Sequence, residues 1–231
     1  AAVFVNGDGV KVDVNNNETT VLVSENAKDT EINEGTQQEK TTYVTDKSSL
    51  NAAIKNGGNI ILGADIIRPQ TSIYNFEKDA NLNLNGHSLL RAKINVNGCT
   101  LTIDGHGQIK NTSAATQESV VIKENGTLIL NDAEIYGTGS KTYGIIIEQG
   151  NAIINDGLVS ASQTAILCYK NSKLEINGGK IISKDNFVVG THGNKDYGGN
   201  NITINGGIFN GSSESSESIA CGVYLANSDT L

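Results

Sequence analysis

The stretch Leu174-Glu-Ile-Asn177-Gly178 is one of six copies of a short motif that decides the fold of this chain. Each copy has a variable residue with one apolar residue on each side of it. An Asn or Asp anchor follows, and then a Gly or Asp. The anchors lie 19, 27, 24, 22 and 28 residues apart, at Asn85, Asp104, Asn131, Asn155, Asn177 and Asn205. A self-similar period of this length is typical of stacked-repeat architectures.

The alternation within each motif predicts a short β-strand with one buried face. A single unit of this size cannot bury its apolar face alone, so we expect the units to stack as parallel coils about 4.8 Å apart. Stacking aligns the anchors, and the sequence therefore predicts a ladder of hydrogen-bonded side chains through all six. The same alignment predicts that Glu148 and Lys170 pair across neighbouring coils.

A short helix precedes the repeats. Ser48 is expected to cap it, Leu50, Ala53 and Ile54 are expected to lie on one face, and Gly57 is expected to end it. With this helix and the repeats, the chain resembles the right-handed parallel β-helices of the pectate-lyase-like superfamily over residues 44–231. The resemblance implies an all-β solenoid with an N-terminal capping helix. Lyases, hydrolases, adhesins and phage fibres all use this scaffold, so it leaves function open.

Composition narrows the classes of function. The chain has 231 residues, a net charge of −8 and three cysteines without metal-ligand or disulfide spacing. The negative charge argues against binding to nucleic acid or to an anionic membrane surface, and no apolar run is long enough to span a bilayer. We expect no metal or other cofactor. We also expect the buried Cys168 to act as a small hydrophobic residue.

Residues 1–45 do not follow the repeat. The segment around Asn6-Gly7-Asp8-Gly9 predicts a β-hairpin, and the polar residues 24–42 have too little apolar content to fold alone. We therefore expect two domains, an attachment arm over residues 1–45 and a β-helix over residues 46–231, with the arm bound to a capsid or another large assembly. The apolar residues expected to support the arm are Phe4, Val5, Val10, Val12, Val21 and Val23.

Two acidic residues are the best candidates for catalysis. Asp132 and Asp156 both follow the anchor in consecutive coils, and stacking could bring their carboxyl groups to the separation of a retaining glycosidase pair. Asp is also a favoured turn residue, and no arginine or lysine base accompanies the pair. The sequence therefore favours a role without catalysis.

Aromatic and polar residues in the loops offer a different site. Tyrosine beside polar neighbours can stack on sugar rings, which makes these residues candidates for glycan binding: Tyr136, Tyr143, Tyr169, His192, Asp196 and Tyr197.

The sequence favours a structural virion protein, such as a β-helical head fibre or capsid decoration that binds a surface polysaccharide. The sequence ends within what resembles half of a further coil, so we expect either more chain or another subunit to cover that coil, as in a trimer. The alternatives are a secreted or cell-surface bacterial adhesin, and a polysaccharide lyase or glycoside hydrolase on the same scaffold.

Overall fold

The computed structural model describes residues 2–7, 9, 11–13, 20–24, 31–33, 41–113, 117–212, 221–226 and 229–231. It confirms the predicted fold class, an all-β parallel solenoid with one short helix near its N-terminus. The solenoid has about six turns.

The first part of the chain has five strands, β1 (Ala2–Val5), β2 (Lys11–Asp13), β3 (Thr20–Val23), β4 (Glu31–Asn33) and β5 (Thr41–Val44), followed by helix α1 (Lys47–Asn56). The coils of the solenoid then contain β6 (Gly58–Leu62), β7 (Ile66–Phe76), β8 (Ala80–Asn83), β9 (Ser88–Asn97), β10 (Thr100–Asp104), β11 (Gln108–Asn111), β12 (Glu118–Lys123), β13 (Thr127–Leu130), β14 (Glu134–Gly137), β15 (Tyr143–Glu148), β16 (Asn151–Ile154), β17 (Leu158–Ala161), β18 (Ile166–Tyr169), β19 (Lys173–Ile176), β20 (Lys180–Ser183), β21 (Phe187–Thr191), β22 (Asn201–Ile204), β23 (Ile208–Gly211) and β24 (Cys221–Tyr224).

The strands form two large sheets, and every pairing between named strands is parallel. An eight-stranded sheet has the order β22-β19-β16-β13-β10-β8-β6-β5, and a second sheet runs β23-β20-β17-β14-β11-β9-β12-β15-β18-β21-β24. Strand β9 joins two faces of the second sheet, since its first residues pair with β11 and its last residues pair with β12. Each coil therefore places one strand on each of three faces.

Inward side chains make a continuous aliphatic core. In β10, β13 and β16 the register aligns Leu101 with Leu128 and Leu128 with Ala152, and all three side chains are almost fully buried. Burying one leucine-sized side chain stabilises a fold by roughly 1.5–3 kcal/mol, so the stacked rows are the main source of stability. Cys168 is also fully buried in this core, and burial raises the pKa of its thiol to about 12.

An asparagine ladder runs along one corner of the solenoid. The Asn155 side chain donates to Asn131 at 3.0 Å, Asn177 donates to Asn155 at 3.0 Å, and Asn205 donates to Asn177 at 2.7 Å. The first anchor, Asn85, donates instead to the backbone carbonyl of Leu62. The carboxyl group of the second anchor, Asp104, lies beside the Asn81 side chain. The hydrogen-bonded ladder thus extends over the last four anchors.

Helix α1 begins two residues earlier than expected. Its N-cap is Asp46, whose carboxylate accepts a hydrogen bond from the Ser49 backbone N–H at 2.8 Å, so the prediction that Ser48 caps the helix is wrong. The Ser49 hydrogen bonds lower the pKa of Asp46. Leu50, Ala53 and Ile54 are buried, as expected, and the helix ends at a glycine with φ 74°.

The predicted hairpin is wrong for the N-terminal strands that the structure describes. Strand β1 pairs in parallel with β3, and β2 pairs in parallel with β4, whereas a hairpin requires antiparallel pairing of β1 with β2. Val5 is buried and Val23 is half-buried. Val10 lies outside the described residues, and only the backbone is described for Phe4, Val12 and Val21.

Candidate functional site

A row of apolar side chains points outward from one face of the solenoid and is nevertheless buried. Val121, Ile146 and Leu167 occupy equivalent positions of β12, β15 and β18 and are only 4%, 9% and 8% exposed. Tyr143 and Tyr169 pack against this row. We call these three residues the outer apolar row. Their burial shows that this face carries a second layer of side chains outside the core.

Three aromatic rings from two neighbouring coils meet at one end of the outer apolar row. The Tyr169 ring stacks on His192 with 4.8 Å between ring centroids, and the Tyr197 ring meets the edges of both at 5.5 and 4.8 Å. Tyr169 ends β18, His192 follows β21, and Tyr197 ends a short 3-10 turn, Lys195–Tyr197, that Asn194 caps. The structure thus brings together three of the six glycan-binding candidates, with Tyr143 on the adjacent apolar row.

Ion pairs between lysines and glutamates border the outer apolar row. Lys93 Nζ lies 2.6 Å from Glu118 Oε2. Glu148 contacts two lysines, Lys123 at 3.6 Å and Lys170 at 3.4 Å. The pairing of Glu148 with Lys170 confirms the predicted contact across coils. Because these pairs link successive coils, they fix the positions of the charged groups relative to the tyrosine rings.

Together these groups enclose a cleft of about 240 Å³. Val121 and Ile146 contribute its floor, the Lys93–Glu118 and Lys123–Glu148 pairs contribute its polar walls, and Tyr169 and Tyr197 contribute its aromatic end. We call it the tyrosine cleft. It combines an apolar floor with a few fixed polar groups, which is the usual composition of a small-molecule site.

Tyr169 of the cleft and Tyr143 on the adjacent apolar row are uncharged at neutral pH. The pKa of Tyr169 is raised to about 12, mainly by burial and to a smaller extent by the neighbouring Tyr143, Glu118 and Glu148. Burial also raises the pKa of Tyr143, with a smaller contribution from the Glu118 charge. Both hydroxyl groups therefore remain available as neutral hydrogen-bond donors and acceptors.

Two of the glycan-binding candidates lie elsewhere. The Tyr136 hydroxyl donates to Glu134 at 3.0 Å, and Lys110 lies over its ring at 5.9 Å, away from the cleft lining. Asp196 is exposed in the 3-10 turn, where its backbone N–H donates to Asn194. The sequence could not separate these two from the others, because neither residue type nor spacing reveals which side chains of a strand or turn face the cleft.

Sequence reasoning also missed most of the cleft. It predicted the tyrosines, but it did not select the outer apolar row or the charged walls. A usable signal was present: β12, β15 and β18 contain the uninterrupted apolar runs Val120–Ile122, Ile145–Ile147 and Ile166–Cys168. A strand that is apolar without alternation is buried on both faces.

The carboxylates of the catalytic candidates Asp132 and Asp156 both accept hydrogen bonds from backbone N–H groups in turns. Asp132 accepts a hydrogen bond from the Gly105 N–H at 2.5 Å, and its second oxygen lies 3.4 Å from His106 Nδ1. Asp156 accepts one from the Gly157 N–H at 2.7 Å. Over the described part of the chain, no three His, Cys, Asp or Glu side chains are grouped so that they could hold a metal ion.

Asp104, whose carboxyl group is influenced by the charge of Asp132, allows a prediction about how stability depends on pH. Burial raises the pKa of its carboxyl group, and the charge of Asp132 raises it further. A carboxyl group whose pKa is raised on folding destabilises the folded state as pH increases from the ordinary value of 3.8 through the folded value, and the loss persists above it. We expect Asp104→Asn to be more stable than the parent chain at pH 7, by roughly 0.5 kcal/mol after solvent screening. Urea denaturation at pH 7 and pH 3 checks this expectation.

The gain from Asp104→Asn should shrink at pH 3, where the parent carboxyl group is protonated in both states. Asp156→Asn is the control, because it removes one carboxyl group at an exposed position and should change stability little. An equal gain for Asp104→Asn at both pH values would contradict the electrostatic explanation.

A second groove lies on the outer face of the eight-stranded sheet. It encloses about 540 Å³ and is lined mainly by polar side chains such as Thr127, Asn151, Lys173 and Glu175. It contains no aromatic side chain. The tyrosine cleft is therefore the better candidate for a binding site.

The fold and this cleft define a class, a parallel β-solenoid with a tyrosine-lined cleft on one outer face. Comparison of the chain with protein-family models finds no match, and comparisons with curated proteins and with solved structures find no significant match. Within the described residues, no helix has the length and apolarity that crossing a bilayer requires.

Proposed function

We propose that this protein is a structural component of a virion, a β-helical head fibre or capsid decoration that binds a surface glycan through the tyrosine cleft. The observation that carries the binding part is the grouping of Tyr169, His192 and Tyr197 beside the outer apolar row. Sugar rings present C–H faces that pack on such surfaces, and hydroxyl groups that need fixed donors and acceptors beside them.

The rigidity of the solenoid around the tyrosine cleft supports the same proposal. The cleft residues come from strands whose registers are fixed by parallel pairing, and from corners whose ion pairs link one coil to the next. A binding site on such a scaffold needs little reorganisation when its ligand arrives, which favours affinity. The resemblance to pectate-lyase-like β-helices, among which phage fibres occur, supports the virion assignment, with residues 1–45 contacting the capsid and a trimer as the assembled form.

The binding part predicts a large effect for one substitution. Tyr169→Ala removes the ring that contacts both His192 and Tyr197, so we expect glycan affinity to fall at least about tenfold, equivalent to ~1.4 kcal/mol. The measurement is binding of the purified chain to a printed glycan array, followed by titration of the strongest ligand. Tyr136→Ala is the matched control, since it removes a tyrosine outside the cleft and should leave affinity unchanged. Equal losses in the two variants would contradict the assignment of the site.

The assembly part requires a separate experiment. Antibodies against the β-helix should label particles purified from the source culture in immunogold electron microscopy, and sedimentation of the full chain should give a trimer. A chain without residues 1–40, which keeps strand β5 of the eight-stranded sheet, should fail to join the particles. Label on a bacterial envelope with none on particles would overturn the virion assignment and favour an adhesin.

A further inference from the structure

The charges around the tyrosine cleft are already paired, and this restricts the ligand. Lys93 and Glu118 lie 2.6 Å apart, with side chains only 17% and 23% exposed. Solvent screens such a pair less than a pair on the open surface. Taking the lysine away would leave a carboxylate partly buried without its partner, which is strongly unfavourable.

The second group of charges is arranged in the same way. Glu148 lies between Lys123 from the preceding coil and Lys170 from the following one, and it contacts each with a different carboxylate oxygen. Lys170 also lies over the Tyr197 ring at 5.3 Å. The three lysines thus share two glutamates, and each already contacts a carboxylate, so a sugar carboxylate must displace Glu118 or Glu148 to bind one of them.

We propose that the tyrosine cleft binds an uncharged hexopyranose unit and discriminates against sugars that carry a carboxylate. This inference rests on the proposed function, because it specifies the ligand of the same cleft. A sugar hydroxyl both donates and accepts, so it can bind an ammonium group and a neighbouring carboxylate while their ion pair stays intact. A sugar carboxylate only accepts, so it must compete with Glu118 or Glu148 for a lysine.

The size of the cleft agrees with a single sugar ring. Its 240 Å³ lies below the roughly 300–1,000 Å³ of pockets for drug-sized ligands. The outer apolar row and the tyrosine rings cover one side, where the C–H face of a pyranose can pack. The ion pairs border that surface, where the ring hydroxyls would point. The rest of a longer glycan would extend along the solenoid surface outside the cleft.

The test compares neutral sugars with their matched uronic acids. The probes are the methyl glycosides of glucose and galactose, and the corresponding methyl glucuronide and galacturonide, in saturation-transfer NMR with the full chain. We expect the neutral glycosides to bind at least about tenfold more tightly than the uronides. Glu148→Gln leaves Lys123 and Lys170 without their shared carboxylate, so uronide affinity should rise about tenfold in this variant.

Glu134→Gln is the matched control, because Glu134 accepts from Tyr136 outside the cleft and its substitution should not change the preference. Uronides that bind the parent chain as tightly as the neutral glycosides would overturn this inference and leave glycan binding intact. An unchanged preference in a folded Glu148→Gln variant would also overturn it. Failure of every sugar to bind, on the array and in NMR, would overturn both the inference and the glycan-binding function.

Discussion

Gly157→Ala should destabilise the protein by about 4 kcal/mol, an unusually large effect for the addition of one methyl group. Gly157 has φ 93°, a conformation that residues with a Cβ adopt only with strain of order 1–3 kcal/mol. A Cβ at this position would also lie 2.2 Å from the backbone oxygen of Ala133 in the preceding coil. That oxygen accepts the Leu158 N–H, so it cannot move away without weakening the contact between coils.

Gly86→Ala separates the two causes. Gly86 has φ 77°, but a Cβ there would have no heavy atom within 4 Å, so only the backbone strain remains. We expect this variant to lose about 1 kcal/mol. Urea denaturation of both variants, followed by circular dichroism, measures the difference. If Gly157→Ala loses no more than Gly86→Ala, the close approach of neighbouring coils does not determine the choice of glycine.

These glycines also show where the sequence reasoning was less accurate. A Gly directly after the anchor, as at Gly178 and Gly206, predicts a sharp bend at that residue. In the later coils the positive φ occurs one residue further on, at Gly157, Gly179 and Gly207. The bend occurs directly after the anchor at Gly86 and Gly105, where the anchor lies outside the hydrogen-bonded ladder. A single repeat read alone does not reveal this difference between the coils.

The solenoid itself could be predicted because its determinants are periodic. Alternating apolar residues before each anchor predicted inward rows such as Leu101 and Leu128, and these are fully buried. The hairpin prediction failed because Asn-Gly suits both a hairpin turn and a solenoid corner. Pairing between distant coils decides between the two. In the first described strands that pairing is parallel, with β1 on β3 and β2 on β4.

The cleft was harder to predict because it depends on three corners that are distant in sequence. Tyr143, Tyr169 and Tyr197 could be selected by residue type, but their proximity depends on the register between β15 and β18 and on the 3-10 turn after β21.

The residues of the core also differed from the expectation. An aromatic content of only 5% predicts an aliphatic interior, yet Tyr74 and Phe76 on β7 are among the most deeply buried side chains. Composition describes the chain as a whole and does not identify individual positions.

Ile147→Ala should destabilise the protein by about 3–4 kcal/mol, within the usual range for truncating a buried isoleucine. Ile147 points inward, is fully buried and is stacked between Ile122 and Cys168 of the neighbouring coils. Backbone hydrogen bonds hold those coils at the spacing of a sheet, about 4.8 Å, so the walls of the new cavity cannot collapse to fill it. The expected loss therefore includes most of the cavity contribution as well as the lost burial.

Two outward isoleucines provide the comparison for Ile147→Ala. Ile153 lies on the outer face of β16 and is half-buried, so Ile153→Ala should lose less than about 1 kcal/mol. Ile146 belongs to the outer apolar row and is only 9% exposed, so Ile146→Ala should lose an intermediate amount, about 2 kcal/mol. Urea denaturation of the three variants gives the order directly. If Ile146→Ala were as mild as Ile153→Ala, the tyrosines would not cover the outer apolar row in solution, and the cleft would lose its floor.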